Sequence, residues 1–484
     1  MGAFHIINFG CRATQADGAA IERELLDRGL VRSDEKTAAV VILNTCTVTA
    51  SADADARAAV RRVHRENPRA GIVVTGCYAQ RAPEEIASLV GVAHVVGNSH
   101  KASVATIAAS IVGGRGVTTD GTPAPSTAQL ESQAVPERHR AFVSMGEIGM
   151  AEMADDPAPM LVGDIFAHSE VLAAPVFDGD GSAAGIHART RANLKVQDGC
   201  NNRCSFCIIP FVRGKSRSLA VEKVVFEAEQ LVRAGFKEIV LSGINLGRWG
   251  RDLDRPDRFA NLVRYVLNQT EVAKLRISSV EPMDWTEELI ALVASERRIA
   301  KHAHVPLQSG SDRVLRSMHR KYRPWHYEAQ ILKLRAAMPD AALGADVMVG
   351  FPGETDELFR ETYDFVAQLP LTYLHVFTFS ARPGTPAAVM PEQVPVHVAR
   401  ERNRQLRELI AKKNCAFRQQ FVGKRLNAIF LGRHDGAQTE ALSDNFIKVR
   451  IDGEHPANEW HEVAITGLSN DGLVGECAAK FSVQ

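Results

Sequence analysis

Short apolar runs at 4–9, 39–43 and 72–74 alternate with stretches at 17–30 and 52–66 whose apolar positions recur at helical spacing. Strand–helix–strand alternation of this kind predicts an α/β chain with a parallel, doubly wound sheet over residues 1–114. The pattern breaks over 115–190. That stretch carries a Pro/Ser/Thr-rich segment at 122–129 and reads as a linker or insertion with one short ordered piece around 161–176. Alternation resumes over 191–393, with candidate strands at 194–197, 238–242, 275–280, 304–307, 345–349 and 375–379 separated by helical stretches. Six such units predict an incomplete (βα)6 barrel, whose chemistry gathers at the C-terminal ends of its strands. A basic helix is expected over 394–421. From 422 to 484, short alternating strands at 426–430, 447–451, 461–465 and 475–478 predict a small all-β barrel.

Composition changes this picture little. The chain has 484 residues, of which 45% are hydrophobic, as in ordinary globular proteins. No segment approaches the ~20 apolar residues of a membrane span. The first ten residues have no basic region and enter an apolar strand at once, so no signal peptide and no membrane partner are expected, and a cytoplasmic location is. Lys+Arg and Asp+Glu both number 57, so net charge gives no support to nucleic-acid binding and only local patches could.

Cysteine placement changes it greatly. Cys200, Cys204 and Cys207 stand in the run Asp-Gly-Cys-Asn-Asn-Arg-Cys-Ser-Phe-Cys, directly after the first strand of the predicted barrel. Three thiolates this close can hold three irons of a cubane [4Fe–4S] cluster and leave the fourth open to a small molecule. Structural zinc usually takes four Cys/His ligands, commonly in paired knuckles, and no second pair lies nearby. Cys11, Cys46 and Cys77 are far apart in sequence, yet each directly follows an apolar strand. In a parallel sheet those strands point the same way, so the three thiols emerge on one edge, where open α/β sheets bind ligands. They can hold a second cubane, again with one open iron. The alternative is three buried cysteines acting as small hydrophobes. Cys415 and Cys477 have no such setting and read as structural.

The C-x3-C-x2-C loop resembles that of the radical S-adenosylmethionine (SAM) enzymes. Two three-thiolate sites, a barrel and a terminal β-domain together resemble the methylthiotransferase family. The resemblance spans the chain except 115–190. It implies that Cys11, Cys46 and Cys77 hold an auxiliary [4Fe–4S] cluster, and that Cys200, Cys204 and Cys207 hold the cluster that reduces SAM to a 5′-deoxyadenosyl radical. It further implies that the C-terminal barrel is a TRAM-like RNA-binding module. Asn44-Thr-Cys-Thr-Val-Thr with Ala52-Asp-Ala-Asp-Ala-Arg, and Lys195-Val-Gln-Asp-Gly-Cys-Asn-Asn with Ile208-Ile-Pro, resemble the branch acting on N6-threonylcarbamoyladenosine beside the tRNA anticodon. Arg12-Ala13-Thr14 departs from that branch's more usual Lys-Val-Asn.

The same resemblance suggests SAM contacts at Ser242, Gly243 and Asn245 after the second barrel strand and at Ser278 and Glu281 after the third. Gln308 and Asp346 on later strands complete the expected set. Arg213, Lys215 and Arg217, with Arg320 and Lys321 in a second basic run, are candidates to neutralise RNA phosphates. The expected partners are the tRNA anticodon loop and a reducing electron donor. Alternatives are the same chemistry on isopentenyladenosine or on an aspartate of a small-subunit ribosomal protein, a sulfur-inserting synthase, and an Fe–S or zinc RNA-binding module without catalysis.

Overall fold

The computed structural model describes residues 2–113, 157–172, 190–435 and 437–477. Most of the expected linker, and the last residues of the chain, lie outside them. The described residues form two compact units: 2–113 with 157–172, 199–202 and 207–215, and 190–198 with 203–206, 216–435 and 437–477.

In the first unit, β1 (Ala3–Asn8), β2 (Val31–Arg32), β3 (Val40–Thr45), β4 (Gly71–Gly76), β5 (Val92–Gly97) and β6 (Met160–Leu161) form one sheet in the order β2-β1-β3-β4-β5-β6. Every pairing is parallel. The central strand β3 reads Val-Val-Ile-Leu-Asn-Thr and is buried throughout, as a strand covered on both faces must be. Its alternate residues feed different cores. Val41 and Leu43 pack with Ala56, Val60 and Val63 of the helix Ala50–Glu66, whereas Val40 and Ile42 pack with Ile21 and Leu25 of the helix Arg12–Asp27. The sheet is therefore doubly wound, as its pattern predicts. The ordered piece expected inside the linker is instead part of this sheet: Met160 and Leu161 pair with Val95 and Val96.

In the second unit, β7 (Arg191–Asp198), β9 (Glu238–Gly243), β10 (Lys274–Ile277), β11 (His302–His304), β12 (Ala342–Val349) and β13 (Tyr373–Thr378) are the six parallel barrel strands. A bridge from Ser279 to His304 joins the two sheets, and the two-residue β8 (Arg217–Ser218) runs antiparallel beside β7. Leu194, Val196, Ile239, Leu241, Leu275, Ile277, Val347 and Val376 belong to the large apolar core shared with the helices. Most of the intervening positions are polar, namely Lys195, Gln197, Glu238, Ser242, Arg276, His304, Asp346 and His375, with Val240 apolar among them. Period-2 alternation therefore gives the barrel a polar inner face.

The helix Val396–Gln419 follows, then a closed barrel of β14 (Arg425–Asp435), β15 (Gln438–Ser443), β16 (Lys448–Asp452), β17 (Trp460–Leu468) and β18 (Leu473–Cys477), in the order β14-β15-β16-β18-β17. Arg276 fastens this module to the larger barrel. It donates to Glu238 Oε1 at 2.7 Å and to the backbone oxygens of Asp444 and Ser443 at 3.2 and 3.5 Å.

Candidate active site

Strand order reverses between β1 and β3, and at such a switch point the strand ends part and open a crevice. Cys11 follows β1 and caps the helix Arg12–Asp27; Cys46 follows β3; Cys77 opens the helix Cys77–Arg81 after β4. The register pairs Thr45 with Gly76, so Cys46 and Cys77 each lie one step beyond paired residues of adjacent strands. Burial, and then the neighbouring Cys77 and Cys11, push the pKa of the Cys46 thiol up to about 11. Space for them is kept by Gly10, at φ +91°, where an added Cβ would lie 2.8 Å from Cys46 Sγ. Three soft thiol donors at a crevice, with backbone held clear of them, suit three irons of a cubane.

Polar side chains surround this set. Asn98 Nδ2 lies 3.5 Å from Cys77 Sγ and donates to the Val212 carbonyl at 2.7 Å. Thr14 Oγ1 lies 3.5 Å from Cys11 Sγ. Asp17 accepts from Lys101 Nζ at 2.7 Å and from Arg213 Nη2 at 3.0 Å, with all three side chains buried. Arg213 is therefore not an RNA contact. It is 2% exposed and committed to a carboxylate, so no phosphate reaches it.

The other three cysteines follow β7. Asn202 N–H points to Cys200 Sγ at 3.4 Å, and Cys200 N–H donates to the Gly214 carbonyl at 3.1 Å. Cys204 receives a hydrogen bond from Arg320 Nη1 at 3.3 Å, and the other arm of that guanidinium pairs closely with Glu281. Burial disfavours the Arg320 charge, but Tyr322, Glu281 and Cys204 outweigh it and raise its pKa well above the usual value. This corrects one expectation: Arg320 is a buried partner of the Cys204 thiol and of Glu281, not a phosphate ligand. Arg217 is likewise buried, within the β7–β8 ladder. Of the expected RNA contacts, Lys215 and Lys321 are exposed.

The expected SAM residues lie along the C-terminal ends of the strands. Ser242 is buried at the end of β9, and the Asn245 N–H donates to Gln197 Oε1 at 2.7 Å. At Gly243 an added Cβ would come within 3.0 Å of the Gln197 side chain. Ser278 N–H bonds the Leu241 carbonyl, and Gln308, at φ 68°, bridges to Val347 of β12. Asp346 Oδ1 lies 3.3 Å from His304 Nε2 and 3.2 Å from His375 Nδ1, while His304 Nδ1 meets Ser279 Oγ at 2.9 Å. The three groups bring donor atoms within 4.8 Å of one another. Burial alone would raise the Asp346 carboxyl; the two imidazoles outweigh it and hold it well below the usual range. His375 was not singled out from the sequence. Its signal was available: position 375 falls on the same strand face as Tyr373 and Phe377, in register with Asp346.

The Radical SAM superfamily profile matches residues 194–366, and that of the Uncharacterized protein family UPF0004 matches residues 3–97. The chain is 35% identical over 445 residues to threonylcarbamoyladenosine tRNA methylthiotransferase MtaB of Aquifex aeolicus, covering 92% of this chain and 95% of that protein. The protein of the same name in Bacillus subtilis is 36% identical over 93% of this chain and 90% of its own length. A tRNA-2-methylthio-N(6)-dimethylallyladenosine synthase of Desulfitobacterium hafniense is 28% identical over 88% of this chain and 85% of that protein.

Proposed function

The chain belongs to the radical SAM tRNA methylthiotransferase family, and we propose that it converts N6-threonylcarbamoyladenosine, just 3′ of a tRNA anticodon, to its 2-methylthio form. The observation that carries the reading is the convergence of Cys11, Cys46 and Cys77 at one sheet edge, in a chain that also has the Cys200–Cys204–Cys207 loop. One three-thiolate site suffices to cleave SAM; a second gives a place for sulfur. When bound, the clusters and SAM supply a reducing electron, a carbon-centred radical, and the sulfur and methyl group that are transferred.

The chain's own residues hold and orient. Arg320, fixed by Glu281, steadies the Cys204 thiolate and balances its charge. Ser242, Gly243, Asn245 and Ser278 line the strand ends as the seat for SAM, with Gln308 and Asp346 farther round the rim. Because C2–H of adenine is not acidic, no general base is needed to remove it. The inner face must instead hold the purine still and exclude water. An external reductant supplies the electron.

The anticodon loop is single-stranded, so its bases can be splayed out and read. Lys215 and Lys321 are the remaining basic contacts for its backbone. The identity of the base is supported by the two relatives named for threonylcarbamoyladenosine, each matching more than nine-tenths of this chain. A tRNA substrate implies a cytoplasmic enzyme. No helix among the described residues is long and apolar enough to cross a membrane.

The test is anaerobic reconstitution with iron and sulfide, incubation with SAM, reductant and threonylcarbamoyladenosine-bearing tRNA, and nucleoside mass spectrometry of the digest. A 2-methylthio-threonylcarbamoyladenosine peak is expected. Cys200→Ala should abolish 5′-deoxyadenosine, whereas Cys46→Ala should keep some and lose the methylthio product. A product peak only with isopentenyladenosine tRNA would move the enzyme to the other tRNA branch. Full product from Cys46→Ala would refute the role of the second site.

A further inference from the structure

Two cations and one anion are buried together beside the thiols at the first sheet's edge. Lys101, Asp17 and Arg213 have side chains at most 5% exposed. Arg213 also reaches Thr14 Oγ1 at 3.4 Å, and Thr14 in turn meets Cys11 Sγ. Burial disfavours the Lys101 charge, Asp17 and Cys77 favour it, and the Arg213 charge acts on Cys46. With Asp17 ionised, this group carries one excess positive charge in the interior, an arrangement that is costly unless an anion sits beside it. An oxidised [4Fe–4S] cluster on three thiolates carries one net negative charge, and one-electron reduction makes that two. The group and the oxidised site thus neutralise each other, and the excess cation favours the added electron.

We propose that the buried Lys101–Asp17–Arg213 group positions and charge-compensates the cluster on Cys11, Cys46 and Cys77, and thereby sets its reduction potential. The proposal rests on the reading of those three cysteines as ligands. The group also ties that site to the other cysteine loop. Arg213 ends the helix Ile209–Arg213, which begins two residues after Cys207, and Val212 and Ile208 of this segment pack on Cys77. One guanidinium therefore both tunes the site and anchors the segment leading from Cys207.

The test uses the full-length chain with Cys200, Cys204 and Cys207 replaced by Ala, so that one cluster loads. After anaerobic reconstitution, its midpoint potential is read by dithionite titration followed by electron paramagnetic resonance. Lys101→Met should shift the potential negative and Asp17→Asn should shift it positive. The double variant restores the original net charge and should return toward the parent value. Lys101→Arg should stay near it. A merely structural role predicts shifts of one sign, or loss of iron from every variant. Shifts of the same sign in both single variants, or none with iron retained, would overturn the proposal. Loss of iron from Lys101→Met, with loading kept in the double variant and in Lys101→Arg, would support it. Absence of iron from the parent itself would overturn the three-cysteine reading, and this inference with it.

Discussion

Replacing Gly199 with alanine tests whether the backbone beside Cys200 is as tightly determined as it looks. Gly199 has φ +69°, a region that costs a residue with a side chain about 1–2 kcal/mol. Sterics add more. A Cβ at this position would lie 1.9 Å from the Lys215 carbonyl oxygen and 2.8 Å from that of Gly214. Real Cβ atoms essentially never approach closer than 3.0 Å, so the two backbone segments must part by about 1.1 Å. Neither can yield as a side-chain tip would, because both obstacles are main chain. The Cys200 N–H bond to Gly214 would be broken by the same movement. Cys200 then shifts against 207–215, the segment that carries Cys207, and a misplacement of ~1 Å at a reacting centre costs on the order of 100-fold in rate. Gly199→Ala should therefore retain the cluster on Cys11, Cys46 and Cys77, load the other site only in part, and form 5′-deoxyadenosine about 100-fold more slowly. Iron content, Mössbauer spectra and chromatography of the SAM products would measure this. An alanine variant that loads both clusters and cleaves SAM at the native rate would refute the reasoning.

Three further outcomes follow from the second unit. Arg320→Met removes the charged donor to Cys204 and strands Glu281; a hydrogen bond to a charged group contributes ~1.5–3 kcal/mol, so SAM cleavage should fall about 10- to 100-fold, and an unchanged rate would remove Arg320 from the site. Asp346 is held below its unfolded value of about 3.9, so its ionised form stabilises the fold above that pH and the gain is lost as pH falls through the folded value. The melting-temperature gap between the native chain and Asp346→Asn should accordingly be widest near neutrality and close below about pH 4; a gap that widens on acidification contradicts it. Arg276→Met leaves the fully buried Glu238 with Arg191, 3.7 Å away, as a weaker partner, and should cost ~3 kcal/mol in denaturant unfolding. Arg276→Met with Glu238→Leu should recover most of that loss, and a single variant as stable as the native chain would show the pair to be dispensable.

What could be read from the chain and what could not divide along a physical line. The sheet edge bearing Cys11, Cys46 and Cys77 was legible because parallel strands share a direction, so three thiols at three strand exits need no knowledge of tertiary contacts. Five of the six barrel strands were legible for the same local reason, each being a short run with apolar positions between helices, whereas the fourth, expected at 304–307, is His302–His304 and offers one apolar residue between two histidines. Strand β6 was not, because a two-residue strand after a long polar stretch has no period to detect. The arginines were misread on a different ground. Arg213 and Arg320 stand in basic runs, which suggested phosphate contacts, but their acids are distant in sequence: Asp17 is 196 positions from Arg213, and Glu281 is 39 from Arg320. No local pattern reveals a partner supplied by folding. Charge balance, however, was available beforehand. A site of three thiolates brings negative charge into the interior, and the chain must bury cations near it. Arg213 stands six residues after Cys207, so it was a candidate for that duty before it was a candidate for RNA. Lys215, two residues further, is the exposed one of the pair.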